Sequence, residues 1–344
     1  MRRCLAVLAT ATAATFIGAP AAFACGGLVA PNGAVKLVNT TTLVAYHNGV
    51  EHYVTSFEYA GGGTKFGSII PLPGVPTSVT RGGSWTLQRL ELEVHPPAPE
   101  AVNGAAAAAP ALGPAQVLLR THVDALTITV VKGGGPAVTA WVRQQGFKVS
   151  PDLPAMLNFY AVRSPIFLTA TFDPAAEAAR GLHLGDGTPV DIAIPLSNPW
   201  VPLHILSLAK DPDDIVQADV FMLSDRQPAL LSGPGVQLRV SRPAEPSLLN
   251  DLRSDRGMGW IPTSAWLSYV TVDAPASGLT YDLAADVSGN GHPSFTAAAL
   301  VPAVTLRAPT SGQSGWRPVA ALAGIGFVLL LLGTIGYLGS RRRA

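Results

Sequence analysis

Charge is scarce in this chain. Asp, Glu, Lys and Arg supply 13% of its 344 residues, about half the ~25% of an ordinary soluble domain. Within residues 25–316 the balance is 17 Lys and Arg against 22 Asp and Glu, a net of −5. A nucleic-acid binder needs a basic footprint to neutralise phosphates, so no nucleic-acid partner is expected. Cysteine is nearly absent, with Cys4 and Cys25 alone. A disulfide framework is thereby excluded once Cys4 leaves with a leader, and stability must come from an apolar core. The metal-ligand spacings Cys-x-x-Cys and His-x-x-x-His do not occur, and the seven histidines are scattered. Zinc would need three or four of them to converge. No Gly-x-Ser-x-Gly elbow surrounds any serine, and the glycine runs at 61–63 and 133–135 lack the Lys-Ser/Thr ending of a phosphate loop. No cofactor and no metal are expected.

What is present is most distinctive at the two ends. Arg2 and Arg3 precede an apolar stretch over residues 5–17, and Ala22-Phe23-Ala24 puts small residues before Cys25. That is the tripartite pattern of an export signal over residues 1–24. Cys25 would open the mature chain and is the candidate modification site, although Ala22 is a poor match to a lipidation box. At the other end, residues 319–338 form a run of 20 without charge, followed by Arg341, Arg342 and Arg343. At ~1.5 Å per residue such a run crosses a ~30 Å bilayer core. The expected organisation is a signal at 1–24, an exported domain at 25–307, a linker at 308–318, a transmembrane helix at 319–338 and a basic tail at 339–344. This makes membrane lipid a partner and predicts a single-pass protein of a bacterial cell membrane with a cytoplasmic C-terminus.

Between the ends the pattern is mostly that of short strands. Residues 42–47, Asn48-Gly49 and residues 50–59 predict a hairpin, because Asn-Gly accepts the positive φ angles of a type I′ turn. Tyr53, Thr55, Phe57 and Tyr59 share one face of its second strand, and His52 and Val54 share the other. The turn pairs His47 with Val50 and His52 with Ala45, and the two imidazoles are expected on opposite faces. Alternation over 85–94 reads as a strand, as do residues 116–122, 126–131, 166–172, 190–196, 203–209, 217–224, 266–272 and 297–306. Helical spacing of Val138, Trp141, Val142 and Gln145 predicts a helix ending near Gly146, and a second short helix follows over 154–161. The Ala- and Pro-rich stretch 95–114 reads as a loop, and 226–262 as a long ordered loop or small lobe. The fold class expected is mainly β, antiparallel and sandwich-like, with short helical insertions and one C-terminal transmembrane helix.

Few side chains stand out as chemistry. Asp211-Pro212-Asp213-Asp214 is the densest acidic cluster, but it lacks the spacing of a calcium loop and suits a turn. Trp85, Trp200, Trp260 and Trp266 are the candidate interface anchors, since aromatics carry much interface energy. No residue qualifies as catalytic.

Several segments resemble the DUF2330 family of uncharacterised exported bacterial proteins. These are Cys25-Gly26-Gly27, residues 57–73 ending in Pro71-Leu72-Pro73, residues 139–149 with 157–160 and 167–170, and residues 190–195 with 200–205 and 220–225. The resemblance implies an exported domain and supplies no site residues. The function expected on these grounds is a membrane-anchored, noncatalytic module binding an envelope component or exported protein. The alternative is an extracytoplasmic hydrolase-like enzyme.

Overall fold

The computed structural model describes residues 27–29, 40–57, 67–95, 115–124, 126–147, 149–172 and 188–300. Contacts divide the chain into units Met1–Val301 and Pro302–Ala344, and every described residue falls in the first.

Among the described residues the largest sheet has seven strands. Their order is β13 (Val236–Pro243), β14 (Trp266–Pro275), β11 (Ile215–Ser224), β2 (Thr40–His47), β3 (Val50–Phe57), β9 (Thr188–Pro195) and β5 (Ser78–Arg81). Its neighbours pair antiparallel except β11 with β2, which run parallel. A five-stranded sheet runs β1 (Gly27–Val29), β4 (Gly67–Leu72), β8 (Ile166–Phe172), β7 (Leu126–Lys132) and β6 (Gln116–Val123). A small sheet joins β10 (Trp200–Val201), β15 (Leu283–Asp286) and β12 (Ala229–Leu231).

Period-two burial divides the seven-stranded sheet into two apolar faces. Val44, Tyr53, Ile192, Val220 and Val270 point into a large core shared with the five-stranded sheet. The same core takes the buried stripes of α2 (Gly135–Gln144) and α3 (Leu153–Ala161). Leu43, Val54, Phe221 and Tyr269 point the other way, against α1 (Thr86–Val94) and α4 (Pro246–Ser254). Pro136, Pro154 and Pro246 each lie in the first turn of their helix, where a missing N–H costs nothing.

The expectation of a mainly β, sandwich-like domain is corrected: the domain is mixed α/β, with four α-helices among the described residues packed into the cores beside its sheets. Residues 86–94 are helical because Leu87 and Leu90 form one buried stripe with the partly buried Val94. The spacing i, i+3, i+7 outweighs the alternation that suggested a strand. Residues 203–209 are likewise not a strand, since His204–Ser207 is a 3-10 turn. The segment read as a loop or lobe holds β12, β13 and α4.

The expected transmembrane helix is also corrected. Among the described residues no helix is long and apolar enough to cross a membrane. Residues 319–338, on which the expectation rested, lie outside them, as do the leader, Cys25 and residues 96–114. With no spanning helix among the described residues, the membrane-anchored topology, the lipid partner, the single-pass location and the anchored binding-module function built on them are set aside.

The hairpin forms as its turn chemistry requires. Asn48 and Gly49 adopt φ of 51° and 78°, and His47 pairs with Val50 and Ala45 with His52. Cross-strand partners share a face, as do residues two apart, so His47 and His52 lie on the same face and not on opposite ones. Each meets its own carboxylate, Asp225 for His47 and Asp191 for His52.

The α1 start shows how tightly one corner is specified. Asp255, at the end of α4, accepts from the Ser84 and Trp85 amides at 3.1 and 2.9 Å and from the Thr86 hydroxyl at 2.8 Å. Its charge complements the positive end of α1. A Cβ at Gly83 would collide with Thr86 Oγ1 and the Asp255 carboxylate. Gly83→Ala should therefore cost about 2 kcal/mol or more, as lost capping adds to overpacking. A urea melt showing less than about 0.5 kcal/mol would contradict this account.

Candidate functional site

The candidate site is a cavity of about 240 Å³ bordered by Pro73, Tyr160, Arg163, Asn198, Trp200 and Thr296, with Ser164, Ser294 and Ala297 completing its wall. Helix α3 supplies Tyr160, and the turn that ends it supplies Arg163, whose amide donates to the Tyr160 carbonyl at 2.9 Å. Strand β10 supplies Trp200, and the segment before it supplies Asn198.

Arg163 is the centre of the wall. Its guanidinium carbon lies 4.4 Å from the Phe159 ring centroid, 5.1 Å from that of Tyr160 and 5.6 Å from that of Trp200. These are cation–π distances. Its Nη2 donates to Asp282 Oδ2 at 2.8 Å, and its Nη1 donates to the Ala297 carbonyl at 2.8 Å. The same carbonyl accepts from Trp200 Nε1 at 2.6 Å.

Asp282, just before β15, is fully buried. Its Oδ1 accepts from the Tyr160 hydroxyl at 2.9 Å and from the Leu203 and His204 amides at 2.8 and 3.1 Å. Burial pushes its carboxyl above the usual range, against the opposing pull of Arg163 and the surrounding donors. The Tyr160 hydroxyl is held well above its ordinary value by burial and by the Asp282 charge. It stays a proton donor to Asp282 while accepting from the Ile205 amide at 2.8 Å. Arg163 and Asp282 thus form a compensated, hydrogen-bonded pair that offers the cavity a fixed donor array and little net charge.

A second carboxyl stands behind Trp200. Glu51 on β3 is fully buried, and its Oε2 accepts from the Trp200 amide at 2.9 Å. Burial raises its pKa to about 8, opposed by that hydrogen bond. At neutral pH it is mostly a neutral acid.

The four tryptophans singled out from sequence fall in different settings. Trp85 is 37% exposed and leads into α1. Trp200 is 6% exposed and borders the cavity. Trp260 stacks on His52 with ring centroids 3.7 Å apart. Trp266 donates to the Ser241 hydroxyl at 2.9 Å. Asp211 and Asp214 close a turn, the Asp211 amide donating to the Asp214 carboxylate at 3.1 Å.

One arrangement has the outline of a hydrolytic triad. His95 stands 3.2 Å from Glu91 Oε2 through Nδ1 and 3.5 Å from the Tyr269 hydroxyl through Nε2. Yet that hydroxyl donates to Asp219 at 2.6 Å, and burial together with Asp219 raises its pKa far above the ordinary value. An activated nucleophile needs the opposite shift. No group of three metal-ligating side chains occurs among the described residues.

Sequence reasoning missed Tyr160, Arg163, Asp282 and Glu51. Only Glu51 left a signal: its parity on β3 places it on the core face with Tyr53 and Thr55. Arg163 and Asp282 lie 119 positions apart and nothing local links them.

No protein-family model and no curated protein matches the chain. The DUF2330 resemblance therefore rests on the sequence motifs alone. Among solved structures the chain is similar to baculovirus P35, with a TM-score of 0.37 and 9% identity, over 72% of this chain and 93% of that one. It is similar also to a mutated baculovirus P35 after caspase cleavage, with a TM-score of 0.33 and 7% identity, over 72% of this chain and 94% of that one. At these scores the likeness carries no argument about fold or function.

Proposed function

We propose that the domain is a small-molecule binding protein whose ligand is a neutral, polyhydroxylated molecule of about monosaccharide size, held beside Trp200 and Arg163. The observation that carries this reading is the charge-compensated Arg163 pinned by Asp282 in a cavity wall under three aromatic rings. A cavity of about 240 Å³ sits just under the ~300–1,000 Å³ usual for drug-sized ligands. The Ser164, Ser294 and Thr296 hydroxyls offer both donors and acceptors and the Asn198 NH₂ adds donors, its Oδ1 being held by the Val287 amide at 2.9 Å; hydroxyl groups satisfy these in turn. An anion would find the guanidinium charge already neutralised by Asp282, and a fully apolar ligand would strand these groups without partners.

Isothermal titration calorimetry of the purified chain against neutral sugars and polyols, matched sugar acids and aromatic hydrocarbons tests this. A neutral polyol should bind, and Asn198→Ala should weaken it about tenfold, the worth of one or two hydrogen bonds. Ser164→Trp, which fills the cavity from its rim, should abolish binding while circular dichroism stays unchanged. Binding that survives Ser164→Trp, or preference for the acids, would overturn the proposal.

A further inference from the structure

Residues 196–200 carry Asn198 and Trp200 into the cavity wall, and they are fastened to the seven-stranded sheet at three points. The Leu196 amide donates to the Gly49 carbonyl at 3.0 Å. The Tyr46 hydroxyl, from β2, lies 3.0 Å from both the Leu196 and the Ser197 carbonyl. The third point is Glu51, whose Oε2 accepts from the Trp200 amide at 2.9 Å.

The third fastening is unlike the others. Glu51 has no exposed surface, and its Oε1 is buried without a hydrogen-bond partner among the described residues. The groups facing it are the Trp200 amide from β10 and the Tyr46 phenol from β2, which itself feels both Glu51 and Asp225. No Lys or Arg among the described residues pairs with it. Arg163, beyond Trp200, gives its charge to Asp282. The neutral carboxylic acid is the less costly form here: Oε2 accepts from the Trp200 amide and Oε1 is left as an uncharged atom without a partner. A carboxylate would be a buried charge with one amide for company, and such charges draw in water or move out to it.

We propose that Glu51 is a positioning residue for the cavity: as the neutral acid it fastens the Trp200 amide to β3, and loss of its proton releases that fastening and loosens the Trp200 side of the cavity wall. No bond is made or broken beyond the proton passing to solvent. The shift of this carboxyl to about 8 places the change near and just above neutrality. The inference rests on the cavity reading for its bearing on ligands, but its direct test needs none.

Hydrogen exchange of the Trp200 amide in the wild-type protein, corrected for intrinsic rates, should lose about tenfold or more of its protection between roughly pH 6.5 and 9.5. Tryptophan emission should move to the red over the same range, and Trp200→Phe should remove most of that movement. In Glu51→Gln, whose amide has the same acceptor and donor as the neutral acid, both responses should be flat. Where a polyol binds, its affinity should fall with rising pH in the wild type and not in Glu51→Gln. Unchanged Trp200 protection in the wild type across this range would overturn the proposal, as would a full pH response in Glu51→Gln. If no polyol binds at any pH while the wild-type exchange and emission responses appear as stated, the cavity reading fails and the role of Glu51 in holding Trp200 stands.

Discussion

Replacing Asp282 with alanine should lower the unfolding free energy by about 3–5 kcal/mol, the usual cost of removing one partner of a buried charge pair. One carboxylate serves four donors: the Tyr160 hydroxyl, the Leu203 and His204 amides and the Arg163 guanidinium. Its loss leaves three of them buried with fewer acceptors and leaves Arg163 charged beneath three aromatic rings. Asp282→Asn should cost less, because Oδ1 can still accept from the amides, but its NH₂ would then face Arg163 Nη2 donor to donor. Adding Arg163→Met to Asp282→Ala should recover part of the loss, since the orphaned charge disappears and the thioether chain fills similar volume. Chemical denaturation of the four proteins at neutral pH checks this. A single-variant loss below about 1 kcal/mol, or a double variant no better than Asp282→Ala, would mean that the pair is not what holds α3 to the β15 segment.

Strong local chemistry made part of this fold legible. Asn48-Gly49 fixed both the hairpin and its register, and β8 was readable over its whole length, Ile166–Phe172. Helix α2 followed from the spacing of Val138, Trp141 and Val142, and α3 from the proline at its start. The stretch that became α1 carried two periods at once, and only tertiary burial against α4 and β2 decides between them. The parallel pairing of β2 with β11 joins residues more than 170 positions apart, and no turn signal announces it. The class therefore came out as β-rich although both apolar faces of the seven-stranded sheet share their cores with helices. The site was less legible still. Tryptophans were conspicuous as a residue type, but Trp200 matters here because Arg163 and Glu51 reach it from two distant segments, and Asp282 holds Arg163 from a third. Apolar runs spoke loudly at the chain ends, while the described domain keeps its informative groups as single polar side chains inside the core.

Glu51→Gln should change the pH dependence of stability more than any other single substitution. In the unfolded chain this carboxyl titrates near 4.5, and in the folded protein near 8. Between those values the folded state holds a proton that the unfolded state has lost. Stability from this group is therefore fully present below about pH 4.5 and falls by ~1.4 kcal/mol per pH unit as pH rises, levelling off above about pH 8. The whole interval amounts to about 5 kcal/mol. Other groups tilt the wild-type curve too, since burial also raises Glu91 while Arg242 and Arg89 hold Glu93 down. The difference between wild type and Glu51→Gln cancels them, because both proteins share those groups. That difference should be small near pH 5, where both side chains are neutral, and should swing in favour of the glutamine variant as pH approaches 9. Urea denaturation midpoints measured at half-unit steps, converted with a common slope, give the curve directly. A difference that stays level across the interval would mean that Glu51 is already ionised at pH 5 in the folded protein. Its carboxylate would then have found water or a cation, and the Trp200 segment would be held by Tyr46 and Gly49 without it.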